Sequence, residues 1–122
     1  MSVEDQEQPT RTVDSYGTIQ YHLKDTLHRD DGPAIIVHND GNLYWYQYGE
    51  LHREDGPAII SRSGFRAWFK HGKYHRPDGP AIVRPDGDKI YYLYGKMLRS
   101  GSTALKLAQE KERRRKKRQE KI

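Results

Sequence analysis

The chain has 122 residues, with 22 Lys and Arg against 17 Asp and Glu, 34% hydrophobic residues and no cysteine. So short and polar a chain excludes a large enzyme core, and without cysteine there is no disulfide framework, thiolate metal site or cysteine nucleophile. No apolar run reaches the ~18 residues of a membrane span, and the acidic, polar start of the chain is unlike a signal peptide, so a soluble intracellular protein with no membrane partner is expected.

The charge is unevenly placed. Residues 104–122 hold nine Lys and Arg against three Glu, a surplus of +6, which leaves −1 for the other 103 residues. Basicity therefore belongs to one appendage and does not make the body a polyanion binder.

In chain order, residues 1–13 read as a flexible acidic tail. Residues 14–98 are a repeat array, carried by Leu27-His-Arg-Asp-Asp-Gly-Pro-Ala-Ile-Ile36, Leu51-His-Arg-Glu-Asp-Gly-Pro-Ala-Ile-Ile60 and Tyr74-His-Arg-Pro-Asp-Gly-Pro-Ala-Ile-Val83. The second half of each unit recurs as Asp40-Gly-Asn-Leu-Tyr-Trp-Tyr-Gln-Tyr-Gly49, Gly64-Phe-Arg-Ala-Trp-Phe-Lys-His-Gly72 and Asp86-Gly-Asp-Lys-Ile-Tyr-Tyr-Leu-Tyr-Gly95. The period is about 23 residues, and a half-copy, Gly17-Thr-Ile-Gln-Tyr-His-Leu-Lys24, starts the array at about Asp14.

Each unit predicts a β-hairpin: a β-branched strand after Gly-Pro (Ala34 to Val37, Ala58 to Ile60, Ala81 to Val83), a Gly turn, and an aromatic strand ending at Gly49, Gly72 or Gly95. The Gly of each Asp-Gly-Pro is expected to supply positive φ, and the Pro to give a rigid loop that no helix interior tolerates. Seven strands with short connections imply a mainly β fold, an extended antiparallel meander roughly 30 Å long. Its open edge strands offer a route to homo-oligomers.

Tandem His-Arg-x-Asp-Gly-Pro-Ala units followed by aromatic strands resemble the MORN-like repeat proteins of bacteriophages and large DNA viruses. The resemblance covers residues 14–98 and departs at Tyr74, Pro77 and the tail. It implies a repeat-built β-sheet of viral or phage origin, acting in the host cytoplasm or the virion, with binding or scaffolding as its usual role and no common catalytic activity.

His28, His52 and His75, with Arg29, Arg53 and Arg76 and with Asp31, Asp55 and Asp78, invite a catalytic or metal reading. Their repetition argues against it, since an active site is a single constellation. A structural role is expected, in which Asp accepts loop N–H bonds and Arg or His braces a neighbouring loop. No metal, cofactor or catalytic residue is predicted, and no serine elbow or phosphate-binding glycine loop is present.

Strand alternation divides the aromatics between two faces. One carries Tyr44, Tyr46, Tyr48, Phe69, His71, Tyr92 and Tyr94. The other aligns Tyr21, Trp45, Trp68 and Tyr91 in a row flanked by Arg66 and Lys70. That row reads either as a stabilising ladder or as a protein-binding surface, and the same side chains could stack on unpaired bases.

Residues 99–122 form the tail. Ser100-Gly-Ser-Thr103 is a break with N-cap candidates, and Ala104 to Lys121 predicts an α-helix that docks one turn through Ala104, Leu105, Leu107 and Ala108. Beyond that turn, Lys111 and the run Arg113, Arg114, Arg115, Lys116, Lys117 and Arg118 are read as basic all round, and nucleic acid is their simplest counterpart. The sequence thus points to a non-catalytic adaptor or inhibitor that binds a host or virion protein through its aromatic face, aided by the tail. The alternatives are a DNA- or RNA-binding protein, ribosome included, that works through the helix, or a structural virion component.

Overall fold

The computed structural model describes residues 8–120; the first seven residues of the expected acidic tail lie outside that range. Among the described residues, fourteen short strands precede one helix. They are β1 (Thr10–Val13), β2 (Ile19–Leu23), β3 (Thr26–Leu27), β4 (Ile35–Ile36), β5 (Leu43–Tyr44), β6 (Tyr46–Gln47), β7 (Glu50–Leu51), β8 (Ile59–Ile60), β9 (Arg66–Ala67), β10 (Phe69–Lys70), β11 (Lys73–Tyr74), β12 (Ile82–Val83), β13 (Lys89–Leu93) and β14 (Lys96–Leu98). The helix, α1, spans Thr103–Glu120.

The fold is mainly β, an antiparallel meander of hairpins in which β1-β2-β4-β5-β8-β9-β12-β13-β14 follow one another, with β3 beside β2. The sheet starts four residues earlier than the repeat pattern predicts. Thr10–Val13 pairs with Ile19–Leu23, from Thr10 opposite His22 to Val13 opposite Ile19, so this part of the expected flexible tail is strand.

Each unit is also more divided than a two-stranded hairpin. The aromatic run breaks at Trp45: Leu43 and Tyr44 pair with β4 and β8, whereas Tyr46 and Gln47 turn to a separate partner, Leu51 and Glu50. Trp68 divides β9 from β10 in the same way. At the break Trp45 keeps both backbone groups bonded, its N–H donating to the Ala58 carbonyl at 2.7 Å and its carbonyl accepting from His52 at 3.0 Å. The partner changes without leaving a buried polar group orphaned.

The core is thin and runs along the array. Ala34, Ala58 and Ala81, which follow Gly-Pro in the three units, are all 0% exposed. Each donates its N–H to one neighbouring strand, to Tyr44, Ala67 or Ile90, and accepts from the other, from Tyr21, Trp45 or Trp68. At the centre Ala58, Ala67 and Phe69 are buried together, with Trp45, Leu51, Ile59, Phe65 and Tyr74 packed around them.

The glycines of Asp-Gly-Pro serve a purpose other than the expected one. Gly32, Gly56 and Gly79 have no positive φ. A Cβ there would lie 3.0, 3.0 and 2.8 Å from the guanidinium carbon of Arg29, Arg53 and Arg76, so the missing side chain makes room for the arginine of the same loop. Positive φ appears instead at the hairpin tips, where Tyr48-Gly49, His71-Gly72 and Tyr94-Gly95 form two-residue turns with φ of 49° and 80–83°. Two successive positive φ values are the type I′ geometry that matches strand twist.

Candidate nucleic-acid interface

The His-Arg-x-Asp-Gly-Pro loops decide which charges stay available. Arg29 lies over the Tyr21 ring at 4.0 Å, donates Nε to Asp31 at 3.0 Å and donates Nη1 to the Pro33 carbonyl at 3.2 Å. Arg53 over Trp45 at 3.9 Å and Arg76 over Trp68 at 4.0 Å repeat the arrangement, with bonds to the Pro57 and Pro80 carbonyls. Each arginine thus joins its own loop to the aromatic strand of the preceding half-unit. Asp31 and Asp78 bond these arginines rather than loop N–H groups; the aspartates that accept loop N–H bonds are Asp14, Asp40 and Asp86, in the other set of turns.

The histidines are braces as well. Nδ1 of His28, His52 and His75 accepts the backbone N–H of Tyr48, His71 and Tyr94 at 3.0, 3.0 and 2.9 Å, tying each loop to the next hairpin tip. An Nδ1 that accepts leaves the proton of a neutral ring on Nε2, which faces Asp30 in the first unit and Glu54 in the second. Pro77 occupies the corresponding place in the third unit and offers no carboxylate. Burial there holds the His75 pKa below its ordinary value. Among the described residues no group of three or more His, Cys, Asp or Glu is placed to hold a metal ion.

Of the proposed protein-binding row, Tyr21, Trp45 and Trp68 therefore have one ring face under a guanidinium. Tyr91, in the last aromatic strand, has no such partner among the described residues. Trp45 lines a cleft between the first and second loops, and Trp68 and Lys70 line a cleft of about 560 Å³ between the second and third loops and α1. Arg66 is exposed on β9, opposite Ile60 and Val83, and lines neither cleft. Lys70 sits 3.8 Å from Glu54.

The helix begins at a proper cap: Ser102 Oγ accepts the Leu105 N–H at 3.1 Å, as an N-cap serine does for the third residue of a helix. Leu105 is the one α1 residue that is buried, at 5% exposure, while Leu107 stands in solvent. The helical period carries the docked face on through Gln109, Glu112 and Lys116, which with Arg113 at their flank border Asp78 of the third loop. Lys116 Nζ bonds Asp78 Oδ2 at 2.5 Å. That bond is the main reason the Asp78 carboxyl is held below the usual carboxylate range, and the bond from Arg115 does the same for Glu112.

The cationic run is consequently divided. Arg114 pairs with Glu110, Arg115 with Glu112 and Lys116 with Asp78. Lys111, Arg113, Lys117 and Arg118 are exposed and form no ion pair among the described residues. Lys106, which the sequence pattern did not single out, joins them one to three turns upstream. A helix that reads as basic all round in sequence is thus a docked rod with five exposed, unpaired cations, of which Arg113 flanks Asp78 beside the docked face.

No protein-family model, curated protein or solved structure matches this chain. No described helix is long and apolar enough to cross a membrane.

Proposed function

We propose that this is a non-catalytic, virus- or phage-encoded nucleic-acid-binding protein in which the repeat sheet is the scaffold and α1 is the binding element. The observation that carries the reading is the set of five unpaired cations, Lys106, Lys111, Arg113, Lys117 and Arg118, on a helix anchored by Leu105 and by the Lys116–Asp78 bond. Anchored cations release phosphate counterions on binding without first ordering a loose tail. The repeat motifs, similar to those of phage MORN-like arrays, suit the scaffold role.

Replacing Lys111, Arg113, Lys117 and Arg118 together by Gln tests this directly, with fluorescence anisotropy of a labelled oligonucleotide at low salt as the readout. The reading expects affinity to fall by about 30-fold or more with the fold intact. Equal affinity of variant and wild type, or no binding by the wild type, would overturn it.

A second reading, the adaptor that binds a host or virion protein, draws support from the clefts floored by Trp45 and Trp68, whose rings remain half-buried. Trp and Arg side by side are frequent interface anchors. If a partner polypeptide occupies those clefts, Trp68→Phe, which keeps a ring under Arg76, weakens its capture and leaves oligonucleotide affinity unchanged.

A further inference from the structure

The tips of the repeats carry a feature that neither the scaffold nor the helix requires. Tyr48, His71 and Tyr94 are each the first residue of a two-residue type I′ turn, all at φ 49°. Gly, Asn and Asp favour that position because a bulky side chain at positive φ is strained. The turn itself draws only on the backbone: the N–H of each residue donates to the Nδ1 of His28, His52 or His75, and an asparagine would make the same bond with less strain.

The rings nevertheless occupy matching places in all three units. Each ring tilts against the imidazole beneath it, with 34–49° between the planes and centroids 4.3, 4.3 and 4.0 Å apart. Tyr48 and Tyr94 are both 70% exposed, and the His71 side chain, with Glu50 beside it, is 69% exposed. Successive units set the rings roughly 10 Å apart along one margin of the array, two strand spacings. His75, under Tyr94, lines the same cleft as Glu112, Arg115 and Lys116, so the row ends beside the helix. Lys73 lies against Gly95 at that end, whereas Glu50 lies against Gly72 and beside His71 in the middle, which makes the Tyr94 end the more favourable to a polyanion.

We propose that Tyr48, His71 and Tyr94 are a stacking row for unpaired bases, so that the nucleic acid held by α1 is single-stranded. This rests on the nucleic-acid reading above and adds the class of ligand. A π-face accepts any base, so recognition is of exposed bases rather than of sequence, while the phosphates supply the salt-dependent share from the helix cations. A duplex hides its base faces and can use only the helix.

The experiment compares three labelled probes on the full chain at one salt concentration: a short oligothymidylate, an abasic strand of the same charge, and a duplex. The wild type is expected to bind oligothymidylate about tenfold or more tighter than the abasic strand, the effect of stacking one or two bases. The double variant Tyr48→Asn/Tyr94→Asn keeps residues suited to the turn, and it is expected to lose that margin while its affinity for the abasic strand and its salt dependence stay unchanged. Equal binding of the thymidylate and abasic strands by the wild type, or a margin that survives in the variant, would overturn the stacking row and leave the helix reading standing. Failure of all three probes to bind would overturn both.

Discussion

The repeat body and the helix use charged residues in opposite ways. In the body, Arg29, Arg53 and Arg76 lie on aromatic rings and bond backbone carbonyls of their own loops, and the histidines accept N–H groups of the next unit, so the recurring polar motif is directed inward. On α1 only the side facing Asp78 is engaged in this way. A cation seated on a ring and a carbonyl is part of the fold; a cation on the far side of a docked helix is free to meet another molecule.

The largest effects should come from breaking the body. Ala58 is 0% exposed and bonded on both sides, so Ala58→Leu has no space to occupy and should cost about 2 to 3 kcal/mol, read as a lower denaturant midpoint. Gly79→Ala places a Cβ 2.8 Å from the Arg76 guanidinium carbon and should displace it from Trp68. The cost is about 1 to 2 kcal/mol, visible as a change in tryptophan fluorescence. Against these, the fourfold Gln variant of the helix should move stability by only about 0.5 kcal/mol, the range of surface substitutions. A body variant that left stability untouched, or a helix variant that unfolded the protein, would remove the distinction.

Acid should also act on the body first. The His75 pKa is lowered in the folded state, chiefly by burial, and Nδ1 is occupied by the Tyr94 N–H. A lowered folded pKa means that stability is fully present above the unfolded value, about 6.5, and is lost as pH falls through it toward the folded pKa. Denaturant midpoints measured from pH 8 to pH 5 should decline over that window, and His75→Gln should flatten the decline. The smallest effect belongs to the latch between the two regions. Lys116→Gln removes the partner of Asp78 while leaving the Asp78–Arg76 bond in place, and breaks an exposed contact worth a few tenths of a kcal/mol to about 1. It should raise amide exchange in the second half of α1 without moving the midpoint of the sheet.

Much of the body was legible in the sequence because repetition exposes it. A 23-residue period with Gly-Pro before each β-branched run locates the strands, and Ser102 with a run free of Pro and Gly and rich in Lys, Arg and Glu locates the helix. The division at Trp45 and Trp68 was not legible, since alternation continues through both residues and only the partner strand changes. The glycines misled for a related reason. Gly-Pro signals a turn, yet Gly32, Gly56 and Gly79 answer to the arginine three residues earlier, a contact that leaves no mark in turn preferences. In the tail the number of cations was plain, but which of them are free depends on Asp78, 38 residues from Lys116. The aromatic-Gly pairs at 48–49, 71–72 and 94–95 were a readable signal of the hairpin tips, and they mark rings that alternation alone assigns to a sheet face.

In the proposed function, five exposed cations of a docked helix, not the repeat loops, hold the nucleic acid. Its most direct test is the affinity of the wild-type protein for a single-stranded oligonucleotide across a salt series. If all five cations meet phosphates, the log–log slope should be about −3 to −4, at roughly −0.7 per phosphate on a single strand, and the fourfold Gln variant should bring it close to −1. A wild-type slope near zero, or a steep slope that the variant retains, would contradict the account.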